Sequence, residues 1–150
     1  VCTGNTARSP AAEYLANYYA EKYLVDLKNR SAGFINYFDH MQPNTLHYLE
    51  KKGIDISTFE PRLITKALLE KYDLILTMEH SHKEKVLENY SQIRDLSKKV
   101  FTLKEFNDPT SKKDILDPYY TSNEVYNKVL KLIDIEVKKA IQKIKRINEE

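Results

Sequence analysis

Within its first ten residues, Val1-Cys2-Thr3-Gly4-Asn5-Thr6-Ala7-Arg8-Ser9-Pro10, the chain sets a cysteine six positions before an arginine. Gly4 and small polar residues lie between them. Ser9-Pro10 reads as a helix N-cap followed by a proline in the first turn, where a missing N–H costs nothing. A helix opening there supplies unpaired backbone N–H groups and a partial positive charge. A short glycine-containing loop closing on such a terminus forms a backbone nest for an anion. The dipoles that hold phosphate also favour the thiolate of a cysteine placed at the base of the nest. Arg8 is then positioned to reach back with a bidentate fork onto two oxygens of a tetrahedral oxyanion. Nucleophile, anion cradle and charge clamp thus fall within one short stretch.

A lone cysteine commonly serves as a small buried hydrophobe, and it is the Gly4, Asn5, Ser9 and Pro10 context that points to a nucleophile. A thiolate attacking a phosphomonoester expels an alkoxide or phenoxide, so the site needs a proton donor for that oxygen. Two Asp-Pro pairs are available, Asp108-Pro109 and Asp117-Pro118, and either alone fits a loop bend. His40, His47, His80 and His82 form no ligand-like cluster with cysteines or acids, and His80 and His82 read as an exposed helix start. The chemistry calls for no metal and no cofactor.

The elements that must carry these residues alternate. Helical spacing of apolar residues extends from Pro10 to about Lys28 and recurs from Pro43 to Lys52, where Gly53 stops it. A brief helix over Thr65 to Lys71 leads to Leu74-Ile75-Leu76, a continuous apolar run of the kind buried in parallel sheets. A helix from Met78 to about Tyr90, a strand at Val100 to Leu103 and a polar loop from Lys104 to Tyr120 come next. A long helix from about Ser122 to Arg146 closes the chain, its start marked by the capping-box spacing of Thr121 and Glu124. Such alternation predicts an α/β fold in three layers, with a small, mainly parallel four-stranded sheet between helices and ligands bound at the strands' carboxyl ends.

Composition narrows the class. The 150 residues suit one domain spanning 1–150, and 24 basic against 22 acidic residues give a net charge of +2. Neither nucleic acid nor membrane is therefore an expected partner, and no apolar stretch is long enough to span a bilayer. The many lysines of the last helix read as a solvated face. One cysteine cannot form an internal disulfide, so a reducing cytoplasm is the expected location.

The stretch Cys-Thr-Gly-Asn-Thr-Ala-Arg-Ser-Pro resembles the signature loop of the low-molecular-weight protein tyrosine phosphatases, and Asp117-Pro118-Tyr119-Tyr120 is similar to that family's general-acid loop. The likeness extends over nearly the whole chain. It implies a phosphatase that acts on phosphotyrosine proteins or small aryl phosphates through a phosphocysteine intermediate. Cys2 would be the nucleophile, Arg8 the clamp and Asp117 the proton donor, leaving Asp108 as a turn residue. Thr3, Gly4, Thr6 and Ala7 would complete the cradle. Asn5 would hold the loop backbone, and the Ser9 hydroxyl would bond to Cys2. Tyr119 and Tyr120 would wall the cleft, with Tyr37 as a gate. Ser31-Ala32-Gly33 matches the end of the family's second strand, whereas Phe34 to Gln42 departs from the pattern and lacks its usual glycine. Family members carry a strand before the loop, so apolar residues are expected upstream of Val1. An arsenate reductase-like enzyme and a non-catalytic phosphate-binding module are the competing readings. The first relays electrons through further cysteines, and the second need not keep both Cys2 and Asp117.

Many members of the resembled family carry a second cysteine where this chain has Ala7, and that neighbour traps an oxidised nucleophile as a reversible disulfide. Cys2 has no such neighbour. Peroxide inactivation is therefore expected to become irreversible once the sulfenic acid is over-oxidised. Recovery of full activity with dithiothreitol after prolonged peroxide exposure would contradict this.

Overall fold

Two three-residue strands at the centre separate two hydrophobic cores. The computed structural model describes residues 1–150, with helices α1 (Arg8–Lys22), α2 (Pro43–Lys51), α3 (Lys66–Lys71), α4 (His80–Asn89), α5 (Leu103–Asn107) and α6 (Asn123–Asn148), and strands β1 (Ile75–Thr77) and β2 (Val100–Thr102). β1 and β2 pair in parallel, with Ile75 opposite Val100 and Thr77 opposite Thr102. Side chains alternate along each strand. Ile75 and Val100 join Leu69, Val86, Ile93 and Leu96 on the α3 and α4 side, while Leu76 and Phe101 pack against the larger core beneath α1, α2, α5 and α6. Burial of both faces accounts for the continuous apolar run, and the three-layer α/β architecture is as expected.

The expected four regular strands are not found, because only β1 and β2 form a ladder. Parallel pairing continues through single bridges from Cys2 to Gly33 and from Gly33 to Leu63, and Met78 N donates to Val1 O at 2.9 Å. The cause is local. After Cys2 the chain curls into its loop, and Phe34 N and Ile35 N both donate to Thr3 O instead of extending a ladder.

Helix boundaries also shift. α1 begins at Arg8, with Ala7 at the N-cap position, so Ser9 lies inside the first turn and is not the cap. It ends at Lys22 rather than near Lys28. Leu24 N donates to Glu21 O and Val25 N to Ala20 O, a Schellman-type ending with Leu24 at φ 57°. Val25 and Leu27 still pack on the core, which is why the apolar spacing outlasts the helix. The segment expected to be a polar loop from Lys104 contains α5. Its Thr102 cap accepts from Glu105 N, and Leu103 and Phe106 are buried, but five residues are too few to show a period. In α6 the cap is Ser122, one residue beyond Thr121, accepting from Val125 N at 3.2 Å. Tyr126, Val129, Ile133, Val137 and Ile141 form its buried stripe, each large aliphatic side chain contributing about 1.5–3 kcal/mol by leaving water. No helix is long and apolar enough to cross a membrane.

Leu24 is 90% exposed in a left-handed conformation that disfavours a Cβ. Leu24→Gly should raise unfolding stability by about 0.5–1 kcal/mol, measured by urea denaturation.

Candidate active site

The loop between Cys2 and α1 has its backbone polarity sorted. Three of its carbonyls are paired with neighbouring segments: Thr3 O accepts from Phe34 N and Ile35 N, Thr6 O from Gln42 N at 2.8 Å, and Ala7 O from the Thr45 hydroxyl at 3.1 Å. The amide N–H groups of Thr3 through Ala7 donate to no protein acceptor. Asn5, at φ 54°, supplies the left-handed residue that the curl requires, a conformation asparagine tolerates better than most residues. The outcome is a ring of free donors beside the N-terminus of α1, the arrangement that binds anions.

Buried Cys2 lies at the foot of this ring, with Sγ 2.9 Å from Ser9 Oγ. The neighbours of Ser9 limit that contact. Asn5 Oδ1 accepts from Arg62 N at 2.9 Å, which orients the amide so that Nδ2 donates to both Ser9 Oγ and Ser31 Oγ. Ser9 Oγ is thereby an acceptor toward Asn5, and toward a Cys2 thiolate, which has no hydrogen, it donates its own. Ser31 passes its own hydrogen to buried Glu13 Oε1 at 2.9 Å, an oxygen that also accepts from Ser31 N. The Asn5 amide thus donates along two branches, one ending on the Glu13 carboxylate and the other on Ser9 beside the thiol.

Arg8 is 2% exposed. Its Nη1 donates to Glu79 Oε2 at 2.5 Å and to Ile115 O at 2.7 Å, while Nη2 lies 3.7 Å from Asp117 Oδ2. Asp117 is half-exposed, and its Oδ1 accepts from Tyr119 N at 3.1 Å. The structure therefore brings Cys2, Arg8 and Asp117 to one cleft of about 450 Å³, together with Thr3, Gly4, Thr6 and Ala7. Tyr37, Tyr119 and Tyr120 line its walls, as does Phe38, whose ring meets Tyr119 edge-on at 5.7 Å. Asn5 and Ser9 stand behind the cradle and are absent from the cleft lining. Asp108 instead bonds Thr110 in a local turn.

Glu79, Glu13, Phe38 and Gln42 escaped the sequence reading; only the spacing of Glu79 just after the Leu74–Thr77 strand end pointed toward the site. His82 corrects it. The residue is buried rather than part of an exposed helix start, and its Nε2 lies 3.0 Å from Thr3 Oγ1. Burial first, then the Arg8 guanidinium, pushes its pKa down to about 3, so it stays neutral beneath the loop.

Residues 1–150 match the family model described as low molecular weight phosphotyrosine protein phosphatase. The chain belongs to this family. Among relatives of this phosphatase, the protein-arginine-phosphatase of Bacillus subtilis (strain 168) is 39% identical over 127 residues, 84% of this chain and 81% of its own length. The low molecular weight protein tyrosine phosphatase from T. tengcongensis superposes with a TM-score of 0.85 at 34% identity, covering 95% of each chain. A mutant of the YwlE arginine phosphatase with a phosphorylated active-site serine superposes with a TM-score of 0.86 at 32% identity, covering 96% of this phosphatase and 92% of that chain.

Gly33 is pressed against the loop, and a Cβ there would stand 2.8 Å from both Asn5 N and Thr3 O. Both contacts are backbone and cannot yield without moving the cradle. Gly33→Ala should lower phosphatase kcat/KM by roughly tenfold or more, with a stability loss of about 1–3 kcal/mol from overpacking. Steady-state kinetics and chemical denaturation on the same sample would check it.

Proposed function

We propose that residues 1–150 act as one catalytic domain that hydrolyses phosphorylated substrates through a phosphocysteine. The observation that carries this is the thiol of Cys2 placed beneath five unpartnered amides, with Arg8 and Asp117 flanking the same cleft. Cys2 Sγ attacks phosphorus in line with the leaving group, and the P–S bond forms as the P–O bond to the leaving group breaks. Arg8 and the amides of Thr3, Gly4, Asn5, Thr6 and Ala7 hold the equatorial oxygens, where charge shifts in the transition state. Ser9 donates to the sulfur and so stabilises it as thiolate and as leaving group. Asp117 gives its proton to the departing oxygen. As a carboxylate it then takes one from a water that attacks phosphorus, releasing phosphate and regenerating the thiolate.

Tyr37, Phe38, Tyr119 and Tyr120 form aromatic walls suited to a flat substituent, which supports phosphotyrosine proteins and aryl phosphates as substrates. A phosphoarginine side chain is the second reading, favoured by the arginine phosphatases among the relatives. Its guanidinium is also flat, and the P–N bond equally needs a proton on the leaving nitrogen. An arsenate reductase role would need relay cysteines, and Cys2 is alone. A catalytic thiol of this kind suits a reducing compartment such as the cytoplasm.

Hydrolysis of para-nitrophenyl phosphate without added metal tests the mechanism. Cys2→Ser should abolish turnover, and Asp117→Ala should lower kcat by about 10²–10³. An unchanged rate in Cys2→Ser would falsify the assignment. Parallel kcat/KM values on one peptide carrying phosphotyrosine or phosphoarginine would then decide the substrate class.

A further inference from the structure

The segment that carries Asp117 lies between α5 and α6 and has no regular secondary structure of its own. Its long-range polar anchors just before Asp117 are two adjacent residues. Ile115, fully buried, donates its N–H to Met78 O at 2.9 Å and accepts from Arg8 Nη1. One residue earlier, Asp114 Oδ1 accepts from the His80 backbone N–H at 2.9 Å and lies 2.8 Å from His80 Nδ1. The opposite ring nitrogen of His80 faces Glu105 Oε2 at 3.4 Å, and Glu105 Oε1 pairs with Lys83 at 2.5 Å. His80 is thus braced between the loop on one side and α5 on the other.

α4 has no side-chain cap of its own, because Glu79 at the N-cap position makes no such bond. Asp114 supplies one from a distant part of the chain, where the helix dipole favours a negative charge. Burial alone would raise the Asp114 pKa, but the His80 amide and ring outweigh it and hold the carboxyl below its ordinary range. The same helix terminus carries Glu79, which grips Arg8. Charge clamp and acid loop are therefore fastened to adjacent residues. Beyond Ile115 only Leu116 intervenes before Asp117, so the anchors lie within about 7–10 Å of chain from the carboxylate. Downstream, Asp117 is held by local contacts with Tyr119 N, and its 3.7 Å separation from Arg8 is too long for a hydrogen bond.

We propose that Asp114 and His80 are a positioning pair for leaving-group protonation, fixing the backbone from which Asp117 reaches the departing atom. The proposal rests on Asp117 being the proton donor. A displacement of about 1 Å in such a group costs on the order of a hundredfold in rate. If Asp114 merely capped α4, its loss would affect every substrate equally.

The experiment compares kcat/KM, which reports the step in which the leaving group departs, on para-nitrophenyl phosphate and on phenyl phosphate. The phenyl ester has the poorer leaving group and depends more on protonation. Asp114→Ala should lose about tenfold more on phenyl phosphate than on the nitrophenyl ester, while inhibition by inorganic phosphate changes less than about twofold. Asp114→Asn, which keeps an oxygen for the His80 amide, should recover most of the loss. His80→Ala removes the ring but keeps that amide, and should show the same selectivity to a smaller degree. In an Asp117→Ala background, Asp114→Ala should add less than about twofold, since it acts only through Asp117. Equal losses on both esters, no loss on either, or an undiminished loss in the Asp117→Ala background would each overturn the proposal. Asp117→Ala alone separates the two claims. If it shows no leaving-group selectivity the donor assignment fails, and if it is selective while Asp114→Ala is not, only the positioning role fails.

Discussion

Backbone amides are obligatory donors, and each needs an acceptor from the protein, water or a ligand. Here five consecutive residues, Thr3 through Ala7, leave theirs unpaired while three of the loop's carbonyls are paired with neighbouring segments. The rest of the molecule holds that arrangement in place. Phe34 and Ile35 fasten one shoulder of the loop, Gln42 and Thr45 the other, and Gly33 makes room by having no side chain. The cradle is therefore formed before an anion arrives, so a bound phosphoryl group satisfies existing donors instead of organising a loose segment.

Charge in the site is handled similarly. A guanidinium that is 2% exposed needs counter-charge and acceptors, and Arg8 finds them in Glu79 and the carbonyl of Ile115. Those bonds aim the fork, leaving Nη2 toward the cleft side where Asp117 stands. On the other flank, Asn5 Nδ2 donates along two branches, one through Ser31 to the carboxylate of Glu13 and one to Ser9, which contacts Cys2. The Glu79 carboxylate thus compensates the charge of Arg8, and the Glu13 carboxylate keeps Ser31 an acceptor toward Asn5.

What could be read in the sequence was what is encoded locally. Cys2, Gly4, Asn5, Arg8 and Ser9 lie in one short stretch whose spacing exposed it, whereas Asp117 with Tyr119 and Tyr120 stood out from Asp108 only through the family resemblance. Even there, local rules assigned Ser9 to a helix cap, when the fold uses its hydroxyl on Cys2 and starts the helix at Arg8. Glu13 carries no local signal, because its partner Ser31 lies eighteen residues away. His82 looked exposed because nothing in its neighbourhood announces that Thr3 will sit above it. The sheet was overcounted for a related reason. Extended segments that touch through one residue pair carry the topology of a strand without the length that produces a hydrophobic pattern.

The bonds around the Cys2 loop span much of the chain. They join Arg8 to Ile115 across 107 positions, Thr3 to His82 across 79 and Asn5 to Arg62 across 57. Closing such distant pairs is entropically slow, so they form late on the folding path. Catalytic competence should then be among the last properties gained on refolding and among the first lost on partial opening. Turnover in this molecule should accordingly report global closure, since the signature loop takes its shape from partners far along the chain.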